Sequence, residues 1–114
     1  MEMLLREELG IKIITCQGRI DAEVSGRVKE QIQQLLDQGA TQIVLDLKGV
    51  KLLDSSGLGA FVSSLRRAKE RGGEIKLAGL RTEVRSIFDI TRVSRLFHIC
   101  ETVSEAREAF QKVK

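Results

Sequence analysis

Apolar positions along this chain switch repeatedly between two spacings. Short aliphatic runs of five to seven residues alternate with stretches in which apolar residues return every three or four positions. The first pattern suits strands and the second suits helices. Met3 to Glu8 reads as a short, charged strand. Gly10 makes a turn, and Ile11 to Gln17 reads as a second strand. So short a connection predicts an antiparallel hairpin with the first strand on the edge. Gly18-Arg19-Ile20-Asp21 is expected as a loop. A helix then starts near Asp21 or Ser25, either of which can cap it. Val24, Val28, Ile32, Leu35 and Leu36 form one helical stripe, and Gly39 stops it.

Ile43 to Leu47 is apolar with little alternation, as in a central parallel strand covered on both faces. Asp54-Ser55-Ser56-Gly57-Leu58-Gly59 joins it to a second helix, whose buried face is Leu58, Phe61, Val62 and Leu65. Gly72-Gly73 ends that helix. Glu74 to Ala78 is a fourth strand, with Ile75 and Leu77 on one side. Arg81 to Ile90 is a short helix anchored by Val84, Ile87 and Phe88. Leu96 to Cys100 is a fifth strand. Thr102-Val103-Ser104-Glu105 has capping-box spacing, and Val103, Ala106, Phe110 and Val113 line the last helix.

This alternation predicts an α/β fold: a mixed sheet of four or five strands with about four helices. Strand, helix, strand implies right-handed crossovers. Sites in such sheets gather at the carboxyl ends of the strands. The loop ending at Asp21 and the junction at Asp54 to Gly59 both follow strands expected to run parallel, so both belong at the same end. No linker, repeat or low-complexity segment interrupts the 114 residues, and one domain, 1–114, is expected.

Composition narrows the function classes. Lys and Arg number 19 against 16 Asp and Glu, a net charge of +3. The only dense basic cluster, Arg66, Arg67, Lys69 and Arg71, sits at a helix end, where cations suit the dipole. No aromatic residues interleave with it to stack bases, so a solvated helix face is expected rather than a nucleic-acid patch. No apolar run approaches the roughly 20 residues that cross a bilayer. Cys16 and Cys100 fall inside strands and are expected as buried free thiols. With no recognisable signal peptide, the expected compartment is the reducing cytoplasm.

The residues offer little catalytic machinery. The single histidine, His98, lies in a strand and not beside a serine in sequence. No Gly-x-Ser-x-Gly elbow, phosphate loop or metal-ligand spacing occurs. Glu7-Glu8 is a paired carboxylate on the expected edge and reads as solvated. No catalytic residue and no cofactor is expected, and a small hydrolase acting through Ser55 is the weakest reading. Two hydroxyls at the positive end of a helix remain. Asp54, Ser55 and Ser56 are all competent caps, so Ser55 and Ser56 have a purely structural reading. They also have a functional one, as hydroxyls modified by another enzyme. Gly57 and Gly59 lack a Cβ and would leave room for a partner.

Several groups of residues resemble one family, and Ile43 to Leu47 matches its central strand. Gly18-Arg19-Ile20-Asp21 resembles the Gly-Glu-Ile/Leu-Asp loop of the STAS domain family, named for sulfate transporters and anti-sigma factor antagonists. Leu53-Asp54-Ser55-Ser56-Gly57-Leu58-Gly59 resembles its Met-Asp-Ser-Ser/Thr-Gly-Leu-Gly signature. Gly72-Gly73 and Phe88-Asp89-Ile90-Thr91 match later landmarks. The resemblance is strongest to free-standing bacterial anti-sigma factor antagonists. It implies that an anti-sigma factor serine kinase phosphorylates Ser55, with Ser56 the neighbouring, usually unmodified hydroxyl. The unphosphorylated form would bind that kinase through Asp21, Asp54, Ser56, Gly57, Leu58 and Gly59 and so release a sigma factor. A serine phosphatase would reverse the switch. The alternative within the family is a scaffold subunit of a signalling or lipid-transport complex without sigma-factor control. The chain departs from the common pattern at Leu53 for Met, Arg19 for an acid, and Arg92-Val93 for Gly-Leu. It is also basic where many relatives are acidic.

Overall fold

The computed structural model describes residues 2–112. The elements run β1 (Glu2–Glu8), β2 (Ile11–Ile20), α1 (Ala22–Asp37), β3 (Gln42–Leu53), α2 (Ser55–Glu70), β4 (Glu74–Ala78), α3 (Thr82–Ile90), a 3-10 turn (Val93–Arg95), β5 (His98–Cys100) and α4 (Val103–Gln111). They form the expected α/β fold. One five-stranded sheet has the order β1-β2-β3-β4-β5. β1 is antiparallel to β2, and every later pairing is parallel.

The hairpin forms through two left-handed residues, Leu9 at φ 54 and Gly10 at φ 81. Two positive φ values in a two-residue loop match the strand twist of a hairpin. β1 is therefore an edge. Its paired carboxylates are not simply solvated, as the sequence suggests. Glu7 pairs with Lys12, and Glu8 pairs with both Arg6 and Arg107. The Arg6 and Arg107 hydrogen bonds hold the Glu8 carboxyl below its ordinary pKa. The Glu8–Arg107 pair also ties α4 to the edge strand.

Side chains alternate across each strand, so neighbouring core residues enter different layers. Ile14, Leu45 and Leu77 face α1, α2 and α3, where they pack with Val28, Leu35, Phe61 and Phe88. Ile13, Val44 and Ala78 face α4, packing with Ala106 and Phe110. Phe88 stands 6.5 Å from Phe61 and 6.1 Å from Phe97 by ring centroids, linking α2, α3 and the approach to β5. Thr102 caps α4, its Oγ1 accepting from Glu105 N at 3.1 Å. The return bond of the expected box is displaced by one residue, Glu105 Oε1 accepting from Glu101 N at 3.3 Å. Val113, expected on the stripe of α4, lies outside the described residues.

Three expectations need correction. Gly18 to Ile20 is strand, not loop. β3 runs on to Leu53, and Gln17 to Ile20 pair with Gly49 to Leu53, after one register shift between Thr15 and Gln17 and with another between Gly18 and Arg19. The approach is close enough that a Cβ on Gly49 would lie 2.9 Å from Gln17 Cγ and 3.3 Å from Cys16 O. β5 begins at His98, because Leu96 closes the 3-10 turn. β4 is buried on both faces. Lys76 lies under α4, with Glu74 at 2.8 Å, His98 Nδ1 at 2.9 Å and its Nζ 4.6 Å from the Phe110 ring. Hydrogen bonds and the ring face together compensate a cation removed from water.

Cys16 and Cys100 are both buried free thiols. Burial, with the Asp46 charge adding to it, pushes the Cys16 thiol up to about 12.

Candidate functional site

The site is set by the last pair in the β2–β3 register, Ile20 opposite Leu53. Asp54 N donates to Ile20 O at 3.3 Å, closing the two strand ends together. The next residue of each strand is an aspartate, and each starts a helix. Asp21 Oδ1 accepts from Val24 N at 3.1 Å, and Asp54 Oδ1 accepts from Gly57 N at 3.0 Å. Both backbones are extended, as a cap requires. Two exposed carboxylates thus stand side by side at two positive helix ends.

This geometry decides between the three possible caps at the junction. Asp54 holds that role, so the purely structural reading of the two serines does not apply. Ser55 and Ser56 are the first two residues of α2, and both are exposed. Neither hydroxyl is needed to satisfy a helix end. In α1 the choice is resolved the same way. Asp21 caps, while Ser25 is buried inside the helix and donates to Ala22 O at 2.9 Å.

The two glycines divide, against the expectation that both make room for a partner. Gly57 faces inward. A Cβ there would lie 2.3 Å from Leu53 Cδ1 and 2.9 Å from Ile20 Cγ2. Its bare backbone lets α2 sit down on the strand ends. Gly59 faces outward, is exposed, and an added Cβ would meet nothing within 4 Å. Leu58 is buried but borders a shallow depression of about 390 Å³ with Ser55, Gly59, Val62, Arg66 and Val93.

Among the described residues, no group of three potential metal ligands exists. The hydrogen bond of His98 runs to Lys76, not to a serine. Ser55 has no base partner among the described hydrogen bonds. Its hydroxyl is exposed at the first position of α2. No described helix is long and apolar enough to cross a membrane.

The sequence predicts one solvated face for the basic cluster of α2. The helix divides it. Arg67 donates to Gln33 and Arg71 to Asp37, both at 2.7 Å, clamping α2 to α1. Arg71 first, then Gln33, lowers the Asp37 pKa. Arg66 and Lys69 point elsewhere, into a groove shared with Arg95 and Leu96. Projecting the cluster on a helical wheel separates these pairs, but only the fold shows what each meets.

A parallel-rich sheet thus brings two aspartate-capped helix starts to the same end, with an exposed serine directly after one of them. The chain belongs to the STAS domain family, whose profile matches residues 2–106. It is 34% identical over 86 residues to the anti-sigma-B factor antagonist of Bacillus subtilis strain 168, covering 75% of this chain and 78% of the relative. Its fold matches an anti-sigma factor antagonist from Mycobacterium paratuberculosis at a TM-score of 0.89 and 19% identity, covering 97% and 94% of the two chains. It also matches the phosphorylated form of the Bacillus cell-fate determinant SpoIIAA, at 0.76 and 21% identity over 96% and 99%.

Proposed function

We propose that this protein is an anti-sigma factor antagonist switched by phosphorylation of Ser55. The observation that carries this reading is the uncommitted, exposed Ser55 hydroxyl directly after the capping carboxylate of Asp54. A curated relative carrying the antagonist name, and a similar fold determined in a phosphorylated form, support it. The unphosphorylated surface around Asp21, Asp54, Ser56, Leu58 and Gly59 docks on an anti-sigma factor serine kinase and displaces its sigma factor. Gly57 acts from beneath, by letting α2 sit where Ser55 is presented. A serine phosphatase restores the docking form. In this role the protein is a binding partner and a kinase substrate, not a catalyst.

The switch is electrostatic. A phosphate adds roughly −1.5 to −2 charge. The helix N-terminus tolerates that charge within the domain itself. At an interface already carrying two carboxylates, like-charge juxtaposition costs several kcal/mol, and each 1.4 kcal/mol is about tenfold in affinity. Phosphorylation is therefore expected to weaken kinase binding by about a hundredfold or more.

The test is intact mass after incubation with ATP and the anti-sigma factor kinase, with titration of each variant. Ser55→Ala should bind and take no phosphate. Ser56→Ala should still take one. Ser55→Asp should keep its fold and bind poorly. Phosphate on Ser55→Ala, or parent-like affinity of Ser55→Asp, would refute the assignment. A scaffold subunit would take no phosphate at all.

A further inference from the structure

The depression at Ser55 is bordered at its far side by Val62 and Arg66. Both residues also line a longer groove of about 640 Å³, whose far wall is Arg95 and Leu96 of the 3-10 turn. Ser55, Gly59, Val62, Arg66 and Lys69 follow one another along α2 at spacings of four, three, four and three. They form one stripe, roughly 21 Å long at about 1.5 Å per residue. The depression borders the serine, and the groove adjoins it through Val62 and Arg66 toward the other end of the helix.

Its chemistry is distinctive. The floor is apolar, from Val62, Leu65 and Leu96, and Leu96 is 53% exposed. The rim carries Arg66, Lys69 and Arg95 against one acid, Glu70. Among the described residues, none of these three cations enters an ion pair. Arg67 and Arg71, on the neighbouring stripe, are by contrast held by α1. Gly59 adds an independent observation. The fold has open space there for a side chain, yet the helix carries a poor helix former. A bare backbone at that point lets another chain come close.

We infer that this groove is a second docking element, receiving an acidic amphipathic helix of the anti-sigma factor while Ser55 lies in the kinase site. This rests on the antagonist reading above. A helix in an apolar groove places residues at three- and four-residue spacing onto the floor, here with Asp or Glu on its flanks facing the three cations. Lys69, which lines the groove but not the depression, stands about 21 Å along the helix from Ser55, beyond the roughly 8 Å screening length at physiological salt. The groove therefore sets affinity without being switched off by the phosphate, and its effect adds to that of Ser55.

The experiment compares the parent with Lys69→Glu/Arg95→Glu and with Leu96→Gln, after circular dichroism has shown each to be folded. The probe is the anti-sigma factor kinase that phosphorylates Ser55. The double charge reversal should weaken binding at least tenfold and flatten its salt dependence. Leu96→Gln should weaken it severalfold with the salt dependence kept. In both, KM for phosphorylation of Ser55 should rise while kcat holds, because the acceptor is untouched. Parent-like affinity and KM in all variants, with the Ser55 effects intact, would overturn this inference and leave the antagonist reading standing. Loss only of binding to anionic vesicles, or only of self-association, would also overturn it by assigning the groove to a membrane or a second copy. Failure of the parent to bind any anti-sigma factor kinase would remove both readings.

Discussion

Gly57 and Gly59 lie two residues apart in one helix, yet alanine should have opposite effects at the two. Helix propensity favours alanine at both by about 1 kcal/mol. At Gly59 nothing opposes that gain, because a Cβ finds open space. Gly59→Ala should therefore stabilise the fold by about 0.5–1 kcal/mol. At Gly57 the new methyl would stand 2.3 Å from Leu53 Cδ1, 2.9 Å from Ile20 Cγ2 and 3.3 Å from Ile20 O. The Leu53 methyl can rotate away, but Leu53 and Ile20 are only 2% and 1% exposed, so any movement displaces packed neighbours. The carbonyl belongs to a strand end bonded to Asp54 N and cannot yield without loosening the junction. Overpacking of this kind costs about 1–3 kcal/mol, which leaves Gly57→Ala about 1 kcal/mol less stable than the parent. The two variants should thus differ by about 2 kcal/mol. With a urea m-value of roughly 1–3 kcal/mol/M, their unfolding midpoints should lie about 1 M apart, on either side of the parent. A Gly57→Ala midpoint raised as far as that of Gly59→Ala would refute the reasoning. It would mean that α2 does not rest on Ile20 and Leu53 as described, and the placement of Ser55 would need another explanation.

Two further predictions concern stability. Arg92 follows α3 at φ 64, a left-handed position that glycine occupies without penalty. Arg92→Gly should raise stability by about 1 kcal/mol, seen as a melting temperature some 4 °C or more higher, and an unchanged or lower value would contradict the strain. Cys16 is held protonated in the fold, at about 12 against an ordinary 9.0, first by burial and then by Asp46. A raised folded-state pKa means that stability is complete below pH 9 and declines as pH rises from there toward 12. Urea unfolding between pH 7 and 10.5 should show that decline in the parent and a shallower one in Cys16→Ala; parallel curves would refute it. The native Cys16 thiol should also resist thiol reagents at pH 8 until the chain unfolds.

Much of the architecture is legible in the chain because periodicity is local. Val24, Val28, Ile32 and Leu35 return at helical spacing whatever lies opposite, and all four are buried in α1. Ile43 to Leu47 carries buried apolar residues on both faces, Ile43, Leu45 and Leu47 on one and Val44 on the other, because helices cover both sides of β3. The aspartate ahead of Ser55 carries its capping chemistry in its type and position. Element order, the central strand, the hairpin and the serine junction all follow from such short-range signals.

Other features depend on what lies across a gap, which no local spacing records. Gly18 to Ile20 look like a loop until β3 runs alongside and pairs with them. Lys76 looks like the solvent side of a strand until α4 places Phe110 over it. Gly57 and Gly59 have the same side chain and differ only in which way the helix turns them. Arg66 and Arg67 are adjacent in sequence, but a rotation of about 100° per residue sends one into a groove and the other onto α1. Local residue types thus determined which elements form and where the hydroxyl lies. The packing of those elements alone decided which side chains are already engaged within the chain and which remain exposed without a partner inside it.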